Sequence, residues 1–274
     1  MLVALASPAI AGGKGIGRTT EKELNVVLSA SFGKVIVEKG PAEQIFSSER
    51  SDDKESPHEF VTEYNIRNRT GYLEISLGEA TRDKEKRKGI HFDVGGEWTM
   101  KFSDALPVSF DIELGVAKGV IDLSGLQVKD FNMSCGASDV VIIFDSPNPI
   151  AMDEMTIESG VSKFEGRKLG NANFKHFRFQ GGVGAATLDF SGAYKDETIE
   201  GDIEVGLGVC TIILPNDIGA KVLNEESLVS RISLAKDIRS SGEGEYVSDN
   251  FKNAHARIIL NVSAGLGSVK VKRK

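Results

Sequence analysis

Six times along this chain an alternating apolar run meets a glycine, and that glycine returns at a nearly fixed interval. It stands at 115, 136, 160, 182, 206 and 265, giving steps of 21, 24, 22, 24 and then 59 residues. A period of this size means stacked supersecondary units, each unable to bury its apolar face alone. Three residues before each glycine come Ile112, Met133, Ile157, Phe179, Ile203 and Val262, all apolar. Their preceding neighbours, Asp111, Asn132, Thr156, Arg178, Asp202 and Asn261, are all polar. Period two with one apolar face is a half-buried strand. The glycine marks the place where the chain turns between two runs, through positive φ or close backbone approach. One residue further on, Val116, Ala137, Val161, Val183, Leu207 and Leu266 are expected to return to the interior. A second alternating run follows, as in Ala186-Thr-Leu188-Asp-Phe190.

Each copy therefore reads as two short strands separated by a turn, one coil of an all-β repeat β-solenoid with about 21–24 residues per coil. A sandwich of antiparallel hairpins is the rival, since it too spaces short strands regularly. Like columns in register over five successive units favour the solenoid.

Outside the array the pattern weakens. Val26–Val37 repeats the register of Leu260–Val271, with Ser31 in place of the first glycine. Asn68-Arg-Thr-Gly71 lies between the alternating runs 59–66 and 72–77 and predicts a hairpin. The sequence divides into a truncated signal-like segment and flexible spacer (1–18), a smaller N-terminal β section (19–80) and the array (90–274). Arg82–Lys88 mixes charge signs and reads as a solvated loop. Residues 216–257 read as a long insertion before the final coil.

The start, with an apolar run before Ala9-Ile10-Ala11, has the small-x-small pattern of an export signal. Localisation is thus expected to be exported, periplasmic or at the cell surface. Gly12–Thr20 superficially resembles a phosphate loop but lacks the closing Gly-Lys-Ser/Thr. No apolar stretch approaches the roughly 20 residues of a membrane-spanning helix. With 33 Lys+Arg against 40 Asp+Glu the net charge is −7, which speaks against nucleic acid as a general partner. Cys135 precedes its glycine by one position and Cys210 follows its own by four. Three coils at about 4.8 Å separate them by roughly 14 Å, too far for a disulfide, so two free thiols are expected.

These residues carry a resemblance. The chain is similar to the toastrack-type bacterial β-solenoid domain of adhesin-like and LiaF-like cell-envelope proteins. The likeness lies in Leu114-Gly-Val, Ser124-Gly-Leu, Leu169-Gly-Asn-Ala-Asn173, Gly181–Gly192, Leu214-Pro-Asn-Asp-Ile-Gly219 and Gly265-Leu-Gly-Ser-Val269. It spans most of residues 20–273, and its motifs specify fold far better than activity. The resemblance implies an envelope-facing, non-catalytic domain, in some relatives an antibiotic- or stress-response module.

Little in the sequence points to chemistry. His58, His91, His176 and His255 are scattered without metal-ligand spacing. The cysteines fall in strand columns, where burial makes a thiol inert. Glu113, Glu158 and Glu204 share one outward column, interrupted by Ser134 and Gln180. Neighbouring glutamates would lie about 9–10 Å apart, near the separation in inverting glycosidases, but a solvated face that limits aggregation explains them as well. The basic tail Val269-Lys-Val-Lys-Arg-Lys274 reads as a guard on an exposed last strand, or as a contact to anionic lipid or wall polymer. No catalytic, cofactor or metal residue is assigned. The expected function is a non-enzymatic exported scaffold for a protein or envelope polymer. An extracellular polysaccharide-active enzyme and an envelope-stress regulatory module are the alternatives; an enzyme would gather acids with arginine or aromatics on one outward face.

Overall fold

A computed structural model describes residues 15–51, 58–79, 96–194, 198–224 and 231–274. The signal-like residues 1–12 and the loop 82–88 lie outside the described residues. Six strands come first: β1 (Ile16–Gly17), β2 (Glu23–Gly40), β3 (Gln44–Arg50), β4 (His58–Arg67), β5 (Thr70–Glu79) and β6 (Glu97–Ser103). Five long strands follow: β7 (Pro107–Asp122), β8 (Gln127–Ile143), β9 (Met152–Arg167), β10 (Phe174–Asp189) and β11 (Thr198–Leu214). The chain closes with β12 (Gly219–Asn224), β13 (Arg231–Ser233), β14 (Ile238–Gly242), β15 (Glu245–Ser248), β16 (Arg257–Ala264) and β17 (Ser268–Arg273).

The long strands stack in parallel and in register. Ile112 pairs with Met133, Met133 with Ile157, Ile157 with Phe179, Phe179 with Ile203 and Ile203 with Val262. All six side chains are buried. The fold is the expected β-solenoid, because one inward column of large apolar side chains is what holds coil on coil. The two halves of each coil face one another across that core: Phe164 in the second half of β9 lies 5.3 Å, centroid to centroid, from Phe179 in the first half of β10. Leu123, Phe144, Leu169 and Phe190 close the third side from the connecting loops, all fully buried.

That loop side also satisfies its backbone. Asn148 Nδ2 donates to the carbonyls of Val128 (2.7 Å) and Ala172 (3.0 Å), and its Oδ1 accepts from Val128 N (3.1 Å). Asn171 Nδ2 donates to Phe144 O (2.8 Å), and Asn173 Nδ2 to Ile150 O (2.8 Å). A buried amide replaces the backbone partners that a loop cannot supply.

Three expectations are corrected. First, each of the five long coils β7 to β11 is one strand, not two separated by a turn: between β10 and β11 pairing runs from Phe177–Gly201 through Gly181–Val205 and Val183–Leu207 to Asp189–Ile213. The final coil alone among the described repeats splits as expected, into β16 and β17. The chain bends with its partner unchanged, and the ladder lapses only around the glycines, most widely between Leu114–Cys135 and Lys118–Asp139. Second, the residues after the glycines face solvent. Val116, Val161 and Leu266 are 58%, 63% and 67% exposed, and Ala137, Val183 and Leu207 are exposed as well. The physical reason is a phase slip. Inward residues are Ile112 and Leu114 before the bend but Ala117, Gly119 and Ile121 after it, so two consecutive residues must point outward.

Third, the basic tail does not guard an open edge. Chain order and spatial order diverge at both ends. β2 lies between β7 and the layer formed by β5 and β6. Correspondingly, β16 and β17 pair with β11 on one side and with β12 and β13 on the other. Residues 216–257 therefore contribute an outer layer, with an antiparallel β14–β15 hairpin at its flank. Arg273 Nε binds Asp237 Oδ2 at 3.0 Å, and its Nη2 donates to Ile218 O at 2.9 Å; its side chain is 6% exposed. The terminal strand is clamped inside the fold.

Candidate functional site

The bend at the glycines opens a surface feature that runs along the array. Gly115, Gly136, Gly160, Gly182, Gly206 and Gly265 form the floor of an open trench of about 760 Å³ that follows the stacking axis. Its wall carries Glu113, Ser134, Glu158, Gln180, Glu204 and Ser263. On the other side rises the exposed apolar ridge that begins at Val116.

Why these positions must be glycine follows from the stacking. A Cβ on Gly182 would stand 2.7 Å from Gly160 O, and one on Gly206 would stand 2.6 Å from Gly182 O. Real Cβ atoms do not approach a carbonyl oxygen that closely, and the atom in the way is backbone with no freedom to rotate aside. Steric approach, not dihedral freedom, fixes this column. Two columns along, Gly208 adds the second reason, with φ of 145° and a Cβ position only 1.9 Å from Gly184 O. The glycines let the coils close up at the bend and leave bare backbone between wall and ridge.

The glutamate column is where the sequence places it, in the trench wall. Glu204 Oε2 accepts from Gln180 Nε2 at 3.0 Å. Glu113 and Glu158 have no hydrogen-bond or ion-pair partner among the described residues. Beyond the ridge, Lys34, Lys118, Asp139 and Lys163 continue the same coils. Lys118 has no partner among the described residues, and Lys163 feels only the neighbouring charge of Glu165.

The other residues considered for chemistry stay apart. Cys135 and Cys210 are free and buried in different columns. Burial pushes the Cys210 thiol up to about 12. His176 Nε2 lies 3.0 Å from Asp202 Oδ2, and Asn261 Nδ2 donates to Asp202 Oδ1 at 2.7 Å. The Asn261 hydrogen bond above all, helped by His176 and Arg178, holds the Asp202 carboxyl below the ordinary aspartate range. Arg178 also meets Glu154 at 3.0 Å. This polar strip ties coils together on the outer wall. His58 heads β4, His255 lies in the loop before β16, and His91 lies outside the described residues. Ile16–Gly17 of the glycine-rich segment pairs antiparallel with β3, so its backbone is engaged in a sheet. Among the described residues no three His, Cys, Asp or Glu side chains gather as a metal-binding group, and no helix is long and apolar enough to cross a membrane.

Sequence reasoning missed the ridge. The signal that would have found it is the phase slip itself: Val183 and Ala186, one and four positions after Gly182, cannot both face inward on an unbroken alternation.

Parallel coils, a glycine-floored bend and inward columns in register define a β-solenoid of the toast-rack kind. The comparison by family agrees: residues 11–167 match the N-terminal domain of toast_rack, DUF2154, over more than half of the chain, and the protein belongs to that family. No curated protein matches. Among solved structures, a candidate cell adhesion protein of Clostridium sporogenes is 20% identical, with 96% of this chain and 98% of that chain covered and a TM-score of 0.46. A candidate adhesin of Bacteroides fragilis is 12% identical, with 96% and 97% covered and a TM-score of 0.37.

Proposed function

We propose that this protein is a non-enzymatic, adhesin-like scaffold, exported to the cell envelope, that holds a protein or envelope polymer against the bend of its coils. The observation that carries the reading is the apolar ridge: a row of valine and leucine side chains, with Ala137 between Val116 and Val161, exposed on successive coils is costly to leave in water and marks an interaction surface. The trench beside it offers bare glycine backbone along a straight path, a surface suited to an extended chain. Among the described residues its lining contains neither arginine nor an aromatic residue, which supports the non-enzymatic reading over a polysaccharide-cleaving site. Glu204 is engaged by Gln180, and the glutamates alternate with Ser134 and Gln180, so no acid pair converges.

The test is capture from an envelope extract of the source organism by the wild-type protein and by Val161→Glu. Retention by the wild type and loss in the variant, with polymer length unchanged over hours of incubation, is the expected result. Progressive shortening of a bound polymer would overturn the non-enzymatic reading, and equal capture by the two proteins would remove the ridge from it.

A further inference from the structure

Lys34, Lys101, Lys175 and Arg178 each sit on a carboxylate, as cations of an acidic protein are expected to. One corner of the molecule departs from that habit. Where β2, β5, β7 and β8 begin, an open hollow of about 570 Å³ gathers Lys22, Arg69 and Lys129 around a single carboxylate, Glu23. Both oxygens of that carboxylate are engaged: Oε1 accepts from Thr70 Oγ1 at 2.9 Å and Oε2 from Lys129 Nζ at 2.9 Å. Lys22 Nζ has no partner among the described residues. Arg69 makes one long contact, from Nε to Thr20 O at 3.4 Å, which leaves its terminal nitrogens open. Arg67, opposite Thr70 across the hairpin, adds another exposed guanidinium at the rim. In a chain of net charge −7, such a local excess of cations is not a general property of the surface.

Two local irregularities aim these side chains. Between β7 and β8 the register slips by one residue: Val108 pairs with Val128 and Ser109 with Asp130, so Lys129 has no residue opposite it. A bulge of this kind re-aims a side chain, and Lys129 reaches past β7 to Glu23 on β2. The other irregularity is the hairpin tip, where Asn68 and Arg69 adopt φ of 52° and 67°. A two-residue turn of that hand favours glycine at its second position, and any other side chain there is strained. Arginine thus stands where glycine would sit more easily, and its guanidinium is delivered to the hollow. Lys22 is tied to the same tip, its N–H donating to Arg69 O at 2.7 Å.

We propose that this hollow binds a dianionic phosphoryl group, free or as a monoester, through Lys22, Arg69 and the remaining ammonium protons of Lys129. The charge balance selects the class. Three cations against one carboxylate leave an excess of two positive charges. A phosphate monoester, with a charge of about −1.5 to −2 near neutral pH, neutralises that excess, whereas a carboxylate removes only half of it. The guanidinium fork offers parallel donors to phosphate oxygens, and lysine adds a point charge beside it. Glu23 is a positioning residue, since it holds Lys129 and Thr70 in place and its own charge is met by Lys129. The hollow lies six residues of strand from the glycine trench, about 20 Å, and does not depend on the reading of the ridge.

An NMR titration of the nitrogen-15-labelled full chain with inorganic phosphate, at constant ionic strength, tests this. Saturable shifts at the amides of Lys22, Asn68, Arg69, Thr70 and Lys129 are expected, with a Kd on the order of 1 mM. Glucose 6-phosphate separates the two sources: tighter binding than inorganic phosphate assigns the site to an ester, weaker binding to the free ion, and equal binding to the phosphoryl group alone. Lys22→Ala and Arg69→Gly should each weaken binding about tenfold, while Lys163→Ala, which removes an exposed lysine of the array, should leave it unchanged. Arg69→Gly should also melt at or above the wild type, because glycine relieves the turn. Melting below the wild type would make the arginine a structural residue, and full affinity in Lys22→Ala would then overturn the site. Shifts that do not saturate, acetate bound as tightly as phosphate, or an equal loss in Lys163→Ala would each overturn it as well. So would shifts with phosphatidylglycerol vesicles but none with the soluble phosphates, which would assign the corner to a membrane.

Discussion

In the middle of the molecule, from β7 to β11, neighbouring coils follow one another in the chain, pair in parallel and keep the same side-chain columns. At both ends the chain abandons that habit. β4 and β5 form an antiparallel hairpin through Asn68 and Arg69, both at positive φ, and β3 pairs antiparallel with β6. β14 and β15 do the same at the other end. The middle derives its stability from repetition, since each inward side chain meets its like above and below. The end layers lack that neighbour on one side and use local turns. The comparison teaches that a solenoid of this kind is ended by changing strand direction over most of its outer layers, at β3, β4 and β15, which removes the parallel template there, while at β13 a parallel strand of three residues ends the stack.

Phe177 and Phe60 give the sharpest contrast. Phe177 is fully buried and packs edge-on to Phe190 at 5.2 Å, whereas Phe60 is partly buried and stacks on Trp98 at 4.4 Å in an end layer. Phe177→Ala is expected to cost about 3–5 kcal/mol in chemical denaturation and Phe60→Ala clearly less; equal losses would mean that the layers are equivalent. The glycines sharpen the same point. Gly206→Ala forces backbone of adjacent coils apart and should cost about 3 kcal/mol, while Gly78→Ala in β5, where a Cβ would meet nothing within 4 Å, should stay within about 0.5 kcal/mol.

Asn148→Ala removes the amide that joins the loops of three coils and leaves Val128 N and two carbonyls without it. A loss of about 2–3 kcal/mol is expected, with faster hydrogen exchange confined to the loops around Val128 and Ala172. A global acceleration would show instead that the coils do not open separately. The smallest effect belongs to the outer wall. Because the Asp202 carboxyl is held below its ordinary range, its contribution is present above the ordinary aspartate value and is lost as pH falls through the depressed one. Asn261→Ala should cost under about 1 kcal/mol at pH 7, and the difference should vanish as the medium is acidified through that range. A deficit that persisted at low pH would assign Asn261 a packing role.

Much of the fold was legible without coordinates. The inward column from Ile112 to Val262 is written in period two, and the glycine steps place one coil after another. The outward glutamate column was legible for the same reason, since alternation fixes the face once the core is known. The ridge was not, because the residue after a glycine is apolar in every coil and hydropathy alone assigns such residues to the interior. Only the half-step slip between Leu114 and Ala117 sends Val116 outward.

What the sequence determined by itself is the coil: apolar alternation sets which faces are buried, and a glycine in each repeat permits the close approach that stacking demands. What tertiary structure decided is order in space. Nothing local states that Gly265 rests on Gly206 across 59 residues of chain, or that β2 lies inside the layer that follows it. Those placements arise because an end strand buries both of its edges only by sliding between two others, and a hydrogen-bond ladder is indifferent to how far along the chain its partner lies.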